Sequence, residues 1–215
     1  MTAQSTGFDG QIHGFHFVNR FEFSFDLDLP LVHSIDLGEI VYGLCGGMCF
    51  SALDYFYAGR PIPQQRYIAR AGTSLHLRLV DRQVDSLSLP AGLLKVLEWM
   101  ILDDMEVGRR TAIQEFPKLR RKMARGDPSV LCLIRQRGVS DPGKNHQVIA
   151  RAYTFDERAS VAEIALYDPN HPNEEPCLSI DLSNPRRGIS PAQSSGESLR
   201  GFFLMNYRFE APPAS

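Results

Sequence analysis

The chain has 215 residues, of which 43% are hydrophobic and 22% charged, a balance that suits one sizeable soluble globular domain. Its formal net charge of −2 offers no strong overall field to nucleic acid or to an anionic membrane, and no stretch approaches the roughly 18 apolar residues of a membrane span. The first residues lack the basic and apolar regions of a secretory leader. Four cysteines, Cys45, Cys49, Cys132 and Cys177, are too few and too scattered for a disulfide framework. Reduced thiols and a cytoplasmic location are therefore expected, unless the chain is delivered by a specialised secretion route that needs no cleavable signal. No cofactor and no metal is implied.

Residues 1–10 are small and polar and read as a loose arm, ahead of a single domain over 11–215. In residues 12–25 the aromatics Phe15, Phe17, Phe21, Phe23 and Phe25 alternate with polar neighbours, which predicts one or two short strands. His13 and His16 lie in that stretch with nothing beside them to complete a site. Asn19 interrupts the alternation and is the amide upstream of the cysteines that could serve as a hydrogen-bond donor to a reacting group.

The run Gly43-Leu-Cys-Gly-Gly-Met-Cys-Phe-Ser-Ala-Leu-Asp-Tyr-Phe-Tyr57 turns helical from Met48, where Met48, Phe50, Ala52, Leu53, Phe56 and Tyr57 recur at helical spacing. Cys49 then falls in the first turn, where unpaired backbone N–H groups and the positive end of the helix dipole favour a thiolate. Gly46 and Gly47 would let the backbone turn and a substrate approach closely. Cys45, ahead of the glycines, is expected in the approach loop with no wall to fix its sulfur.

Residues 64–87 have mostly helical periodicity broken near Gly72-Thr-Ser74, which predicts two helices. Pro90 opens a further apolar helix to Leu102, with proline at the first turn where its missing N–H costs little. A basic helix is expected from Thr111 to Arg125, kinked or divided at Pro117. Its Lys118, Arg120, Arg121, Lys122 and Arg125 lack interleaved aromatics and face a compensating acidic stretch at Asp103, Asp104 and Glu106. A solvated face, and not a nucleic-acid surface, is the expectation. Beyond residue 128 short β-rich runs at 130–134, 147–153, 161–167, 178–182 and 202–209 predict an antiparallel sheet, with Ser183 to Ser198 as a long loop that could cover a site. Cys132 and Cys177 read as packing residues. The chain is thus α+β, with a helical half over about 43–127 and a β half over about 128–210.

Within that sheet a hairpin turning at Thr154 to Ser160 would oppose His146 to Asp168, Val148 to Leu166, Ala150 to Ile164 and Ala152 to Ala162. One face is then continuously apolar and ends in an imidazole and a carboxylate, while Gln147, Arg151 and Glu163 occupy the other. A carboxylate on one ring nitrogen leaves the second free to take a proton from a thiol.

A helix-start Gly-Gly-Met-Cys49, a histidine in Asn145-His146 beginning one strand, and Tyr-Asp168-Pro-Asn ending the next resemble the papain-like cysteine peptidases. The order and spacing over about 43–170 are most similar to the branch of bacterial effector proteases containing YopT and AvrPphB. The resemblance implies a papain-like fold and a Cys49, His146, Asp168 triad that hydrolyses amides by acyl transfer on a peptide or protein substrate. Asn170 is the reserve orienter of the imidazole. Backbone near Gly47 and Cys49, with Asn19, would support the oxyanion. Phe50 stands where papain has Trp, and Gly43 occupies the position of its oxyanion Gln. Three alternatives remain open: a transglutaminase-like acyltransferase with the same triad, a papain-like interaction domain without activity, and a metal-binding module using Cys45, Cys49 and His146 with Asp168 or His171.

Overall fold

Two apolar periodicities divide the sequence, and the computed structural model follows that division. It describes residues 1–21, 23–25, 40–189 and 191–213, with the backbone alone at 23–25 and 40–42. The N-terminal part forms β1 (Thr2–Ser5) and a helical turn, α1 (Gly10–His13); β2 (Phe23–Phe25) and β3 (Ile40–Tyr42) pair with each other. The helices α2 (Cys45–Tyr57), α3 (Ser74–Leu87), α4 (Ala91–Ile101), α5 (Asp104–Arg110) and α6 (Phe116–Met123) follow. Then come β4 (Ser129–Ile134), β5 (His146–Asp156), β6 (Val161–Tyr167), β7 (Cys177–Asp181), β8 (Ala192–Gln193) and β9 (Gly201–Leu204), in the spatial order β8-β7-β6-β5-β4-β9 with antiparallel pairing throughout. The chain is α+β. No described helix is long and apolar enough to cross a membrane.

The run Ser-Val-Leu-Cys-Leu-Ile of β4 shows no polar alternation because both of its faces are covered. Val130, Cys132 and Ile134 join Met48 and Leu53 of α2 and Leu97 of α4 on one side of the sheet. Leu131 and Leu133, with Val148 and Ala150 of β5, join Phe116, Leu119 and Met123 on the other. The helix α2 is buried from Cys45 to Tyr55 because α3 closes the side turned away from the sheet. That packing requires glycine. A β-carbon on Gly46 would lie 2.1 Å from Ser86 Oγ, and one on Gly47 would lie 2.0 Å from the Leu79 carbonyl oxygen. The two glycines thus admit α3, not a substrate, as the closely approaching group.

Several expectations are corrected. The loose arm at 1–10 is part of the fold: Thr2 to Ser5 pair with Phe155 to Ala152, and Phe8 is a core residue. β4 borders only His146 to Ala150 of the eleven-residue β5, and β1 takes up the edge that remains. Phe15 and Phe17 are buried as an aromatic pair, but outside any strand, and the side chains of Phe23 and Phe25 lie outside the described residues. Residues 64–87 contain one helix and not two: α3 begins after Thr73, which caps it by accepting from the His76 N–H, and the residues before it stay irregular.

The basic stretch is not divided at the proline: helical backbone runs on from α5 through a π turn into α6. One π turn, Thr111–Glu115, widens the helix so that the Phe116 N–H bonds to the Thr111 carbonyl, and Pro117 then sits in the first turn of α6, where it breaks no bond. Three of its five charges find partners inside the chain: Lys118 with Glu115, Arg125 with Asp127, and Arg120 over the Tyr153 and Phe155 rings. The π turn also closes the free side of β9. Thr111 Oγ1 and Glu115 Oε2 accept from the Phe202 and Leu204 N–H groups, each at 3.0 Å, which blunts an otherwise open sheet edge.

The β5–β6 hairpin forms, but its register is displaced. Ala150 opposes Leu166 and Ile149 opposes Tyr167, two residues along from the expected pairing. A two-residue displacement keeps each side chain on its own face, so Val148, Ala150 and Leu166 still share an apolar layer. A bulge between Ala150 and Ala152 then shifts the register again and gives Tyr153, not Ala152, to that layer opposite Ile164.

Candidate active site

The residues that carry exchangeable protons converge where the N-terminus of α2 meets the ends of β5 and β6. His146 begins β5 and Asp168 follows the last residue of β6. Their side chains meet, with His146 Nε2 2.6 Å from Asp168 Oδ1. The expected direct opposition of the two does not occur, since Tyr167 pairs with Ile149; the side chains meet beyond the end of β6 instead. Asp168 is wholly buried and fully partnered: Oδ1 also accepts from the Asn170 N–H at 2.8 Å, and Oδ2 accepts from Gln193 Nε2 at 3.2 Å.

The thiol on which the imidazole acts is Cys45, whereas Cys49, expected in that place, turns its sulfur onto the Gln147 carbonyl. α2 begins one turn earlier than the apolar periodicity indicates, and Cys45 is its first residue. With Nε2 engaged by Asp168, His146 has a second ring nitrogen to spare, and the Cys45 thiol is the sulfur whose ionisation the imidazole favours. Burial opposes ionisation of Cys45. The His146 hydrogen bond and charge and the Gln147 backbone N–H outweigh it, and the thiol falls below its ordinary value. Burial likewise opposes charge on His146, but Asp168 and Cys45 raise its pKa to about 10. Asp168 is held below the usual carboxylate range, against burial, by the His146 charge and hydrogen bond and by the Asn170 N–H. All three shifts act in the direction of a thiolate beside an imidazolium.

Cys49 lies one turn further into α2, fully buried, and donates to the Gln147 carbonyl at 3.5 Å. Burial and the nearby charges of Cys45 and Asp168 push its thiol well above the ordinary value. It packs and does not ionise. Cys132 is a buried strand residue, as expected, and burial pushes its thiol up as well.

The remaining supporting residues act differently from their expected roles. Of the N–H groups in the first turn of α2, that of Gly47 donates to Gln83 Oε1 at 2.9 Å and that of Met48 to the Leu44 carbonyl at 2.8 Å. Gly47 is therefore not free for an oxyanion, and among the described residues the Cys45 and Gly46 N–H groups are the pair left at the positive end of the helix. Asn19 is a strut: its Oδ1 accepts from the Leu44 N–H at 2.8 Å, its Nδ2 donates to Asn170 Oδ1 at 3.2 Å, and its own N–H donates to the Pro169 carbonyl. It joins the chain before the thiol to the chain after the carboxylate. Asn170 orients Asp168 through its backbone and does not reach His146 as a substitute acceptor.

Gln193 and Arg135 carry no motif and were absent from the expected site. Gln193 arises in the Ser183 to Ser198 segment, which holds a 3-10 turn, Pro185–Arg187, and the strand β8. The metal alternative is not assembled, because Cys49 turns onto Gln147. Among the described residues, the ligand-type groups that approach one another are Asp168, His171 and Glu197, and Asp168 is already engaged by His146. Comparison of the chain with protein-family models, with curated proteins and with solved structures gives no match in any of the three.

Proposed function

We propose that this chain is a thiol hydrolase of the papain-like type, with Cys45 as nucleophile, His146 as acid and base, and Asp168 as the group that orients the imidazole. The observation that carries the reading is one imidazole hydrogen-bonded to a buried carboxylate, beside a helix-start thiol whose ionisation it favours. The Cys45 thiolate adds to an ester, thioester or amide carbonyl, and the developing oxyanion is stabilised by the N–H groups of Cys45 and Gly46. The C–S bond persists as the bond to the leaving group breaks, with His146 giving that group its proton. Water, deprotonated by His146, then attacks the acyl group and expels the Cys45 thiolate, which leaves the thiolate beside the imidazolium as at the start.

With the thiol at Cys45, the sequence Gly-Gly-Met-Cys49 no longer contributes to the likeness. What remains similar to papain-like peptidases is the order of parts: thiol at a helix start, histidine at a strand start, aspartate past the end of the next strand. The proposal therefore stops at that superfamily and its amide or ester substrates, and does not extend to the effector branch.

The test uses p-nitrophenyl acetate and iodoacetamide on the purified chain. A burst of nitrophenolate, with the acetyl group mapped to the peptide containing Cys45, is the expected result. Cys45→Ala should abolish both the burst and the fast alkylation near neutral pH, whereas Cys49→Ala should retain them. Label found first on Cys49, or on neither thiol of the folded chain, would overturn the assignment.

A further inference from the structure

Asp168 has two carboxylate oxygens, and only one faces His146. The second is met by Gln193, a side chain 5% exposed, whose Nε2 donates at 3.2 Å. A carboxamide can present either end, and an oxygen turned toward Asp168 would repel it. What settles the orientation is Arg135. Its Nη2 donates to Gln193 Oε1 at 3.1 Å, and a guanidinium has no acceptor to offer, so the amide must turn its NH2 inward. Arg135 is itself clamped by Glu197, with Nη1 and Nη2 at 3.1 and 3.0 Å from its two oxygens. Glu197 in turn accepts from Ser195 and lies near His171.

We propose that Gln193 is a positioning residue of the thiol site, and that Arg135 and Glu197 hold its carboxamide so that it donates to Asp168. The inference rests on the thiol-hydrolase reading and adds to it a requirement for the β8 segment. A donor on Oδ2 stabilises the ionised carboxylate and leaves Oδ1 aimed at His146. The charge on Asp168 then supports the imidazolium, and the imidazolium supports the Cys45 thiolate. The other titratable groups that bear on this centre are His171, Tyr167, Cys49 and Cys132; none of them donates a side-chain hydrogen bond to Asp168.

The experiment is the pH profile of Cys45 alkylation by iodoacetamide in the full chain, read by peptide mapping. Gln193→Met keeps the volume and removes the donor, and should move the acid limb up by about half to one pH unit, or about three- to tenfold in rate on that limb. The plateau at high pH should not change. Arg135→Met should shift the limb in the same direction, because the freed amide can turn its oxygen inward, and Arg135→Lys should restore part of the wild-type profile. Profiles that superimpose on the wild type, or a slowing equal at every pH, would overturn the proposal. If Gln193→Met does not fold, the Arg135 pair carries the same test. A wild-type chain whose Cys45 shows no acid-shifted reactivity would instead defeat the hydrolase reading itself.

Discussion

Asp54 and Asp168 are both wholly buried carboxylates, yet they sit in centres of opposite kinds. Asp54, in the middle of α2, accepts from Arg78 Nη2 at 2.7 Å, from Arg82 Nε and Nη2 at 2.8 and 3.1 Å, from Tyr207 Oη at 2.8 Å, and from the Glu210 N–H at 3.0 Å. Burial would weaken the Arg82 charge, but Asp54 and Asp85 overcome it and hold the guanidinium charged. None of these partners gives up a proton at ordinary pH. The cluster is a clamp that ties the C-terminal segment across α2 and α3. Asp168 has fewer partners, and its first is an imidazole that can charge and discharge. Burial of a carboxylate is common to both centres; the titratable partner is what makes one of them a place for chemistry.

The largest expected effect that sharpens this contrast is on stability. Asp54→Ala removes the buried anion of two buried guanidinium groups, leaving them only the half-exposed Asp85 and Glu210, and should cost about 3–5 kcal/mol in urea denaturation. The fraction that remains folded should still alkylate at Cys45 with the wild-type pH profile. A loss under about 1 kcal/mol would break the comparison, since Asp54 would then not be a clamp.

Asp168→Asn should behave the other way round. The amide keeps the shape and removes the charge, so the stability loss should be smaller, about 1–3 kcal/mol. Alkylation of Cys45 at about pH 6 should slow by at least about tenfold, one pKa unit of lost support for the thiolate. The pH dependence of stability carries the same signature. His146 is raised from 6.5 to about 10 in the folded chain, so its contribution is fully present below 6.5 and is lost as pH rises toward 10. Asp168 is depressed, so its contribution is present above its ordinary value of 3.8 and is lost at more acid pH. The stability difference between wild type and His146→Gln should therefore shrink on going from about pH 6.5 to about pH 10. A difference that grew over that interval would mean the imidazole is buried neutral.

How far the sequence discloses this arrangement depends on whether side chains or backbone carry it. The pairing of His146 with Asp168 is legible because period-two alternation survives a two-residue shift in register. The start of α2 is not legible. Gly46 and Gly47 have poor helix propensity and no side chain to show periodicity, and they are helical because α3 leaves no room for a β-carbon. That moves the helix start, and the proposed nucleophile with it, by one turn. β1 is invisible for a related reason, since Thr2 to Ser5 hold to β5 through backbone bonds that any residues can make. Gln193 lies among serines, prolines and glycines that mark a loop, and only the fold brings it to Asp168.

The smallest expected effect concerns the second thiol of α2. Cys49 is wholly buried, with its sulfur on the Gln147 carbonyl and its ionisation opposed by burial and by the Cys45 and Asp168 charges. Cys49→Ala removes one weak hydrogen bond and the volume of a single sulfur, and should cost about 1 kcal/mol. The rate and pH profile of Cys45 alkylation should stay within about twofold of the wild type, because Cys49 donates to a backbone carbonyl and not to the imidazole. Cys45→Ala is the paired control: it should leave stability nearly unchanged at neutral pH relative to its effect on labelling, which should vanish. If the two variants exchanged these behaviours, so that a well-folded Cys49→Ala chain lost its fast-reacting thiol, the helix would be presenting its second cysteine to His146, and the turn that separates the two assignments would have to be given back.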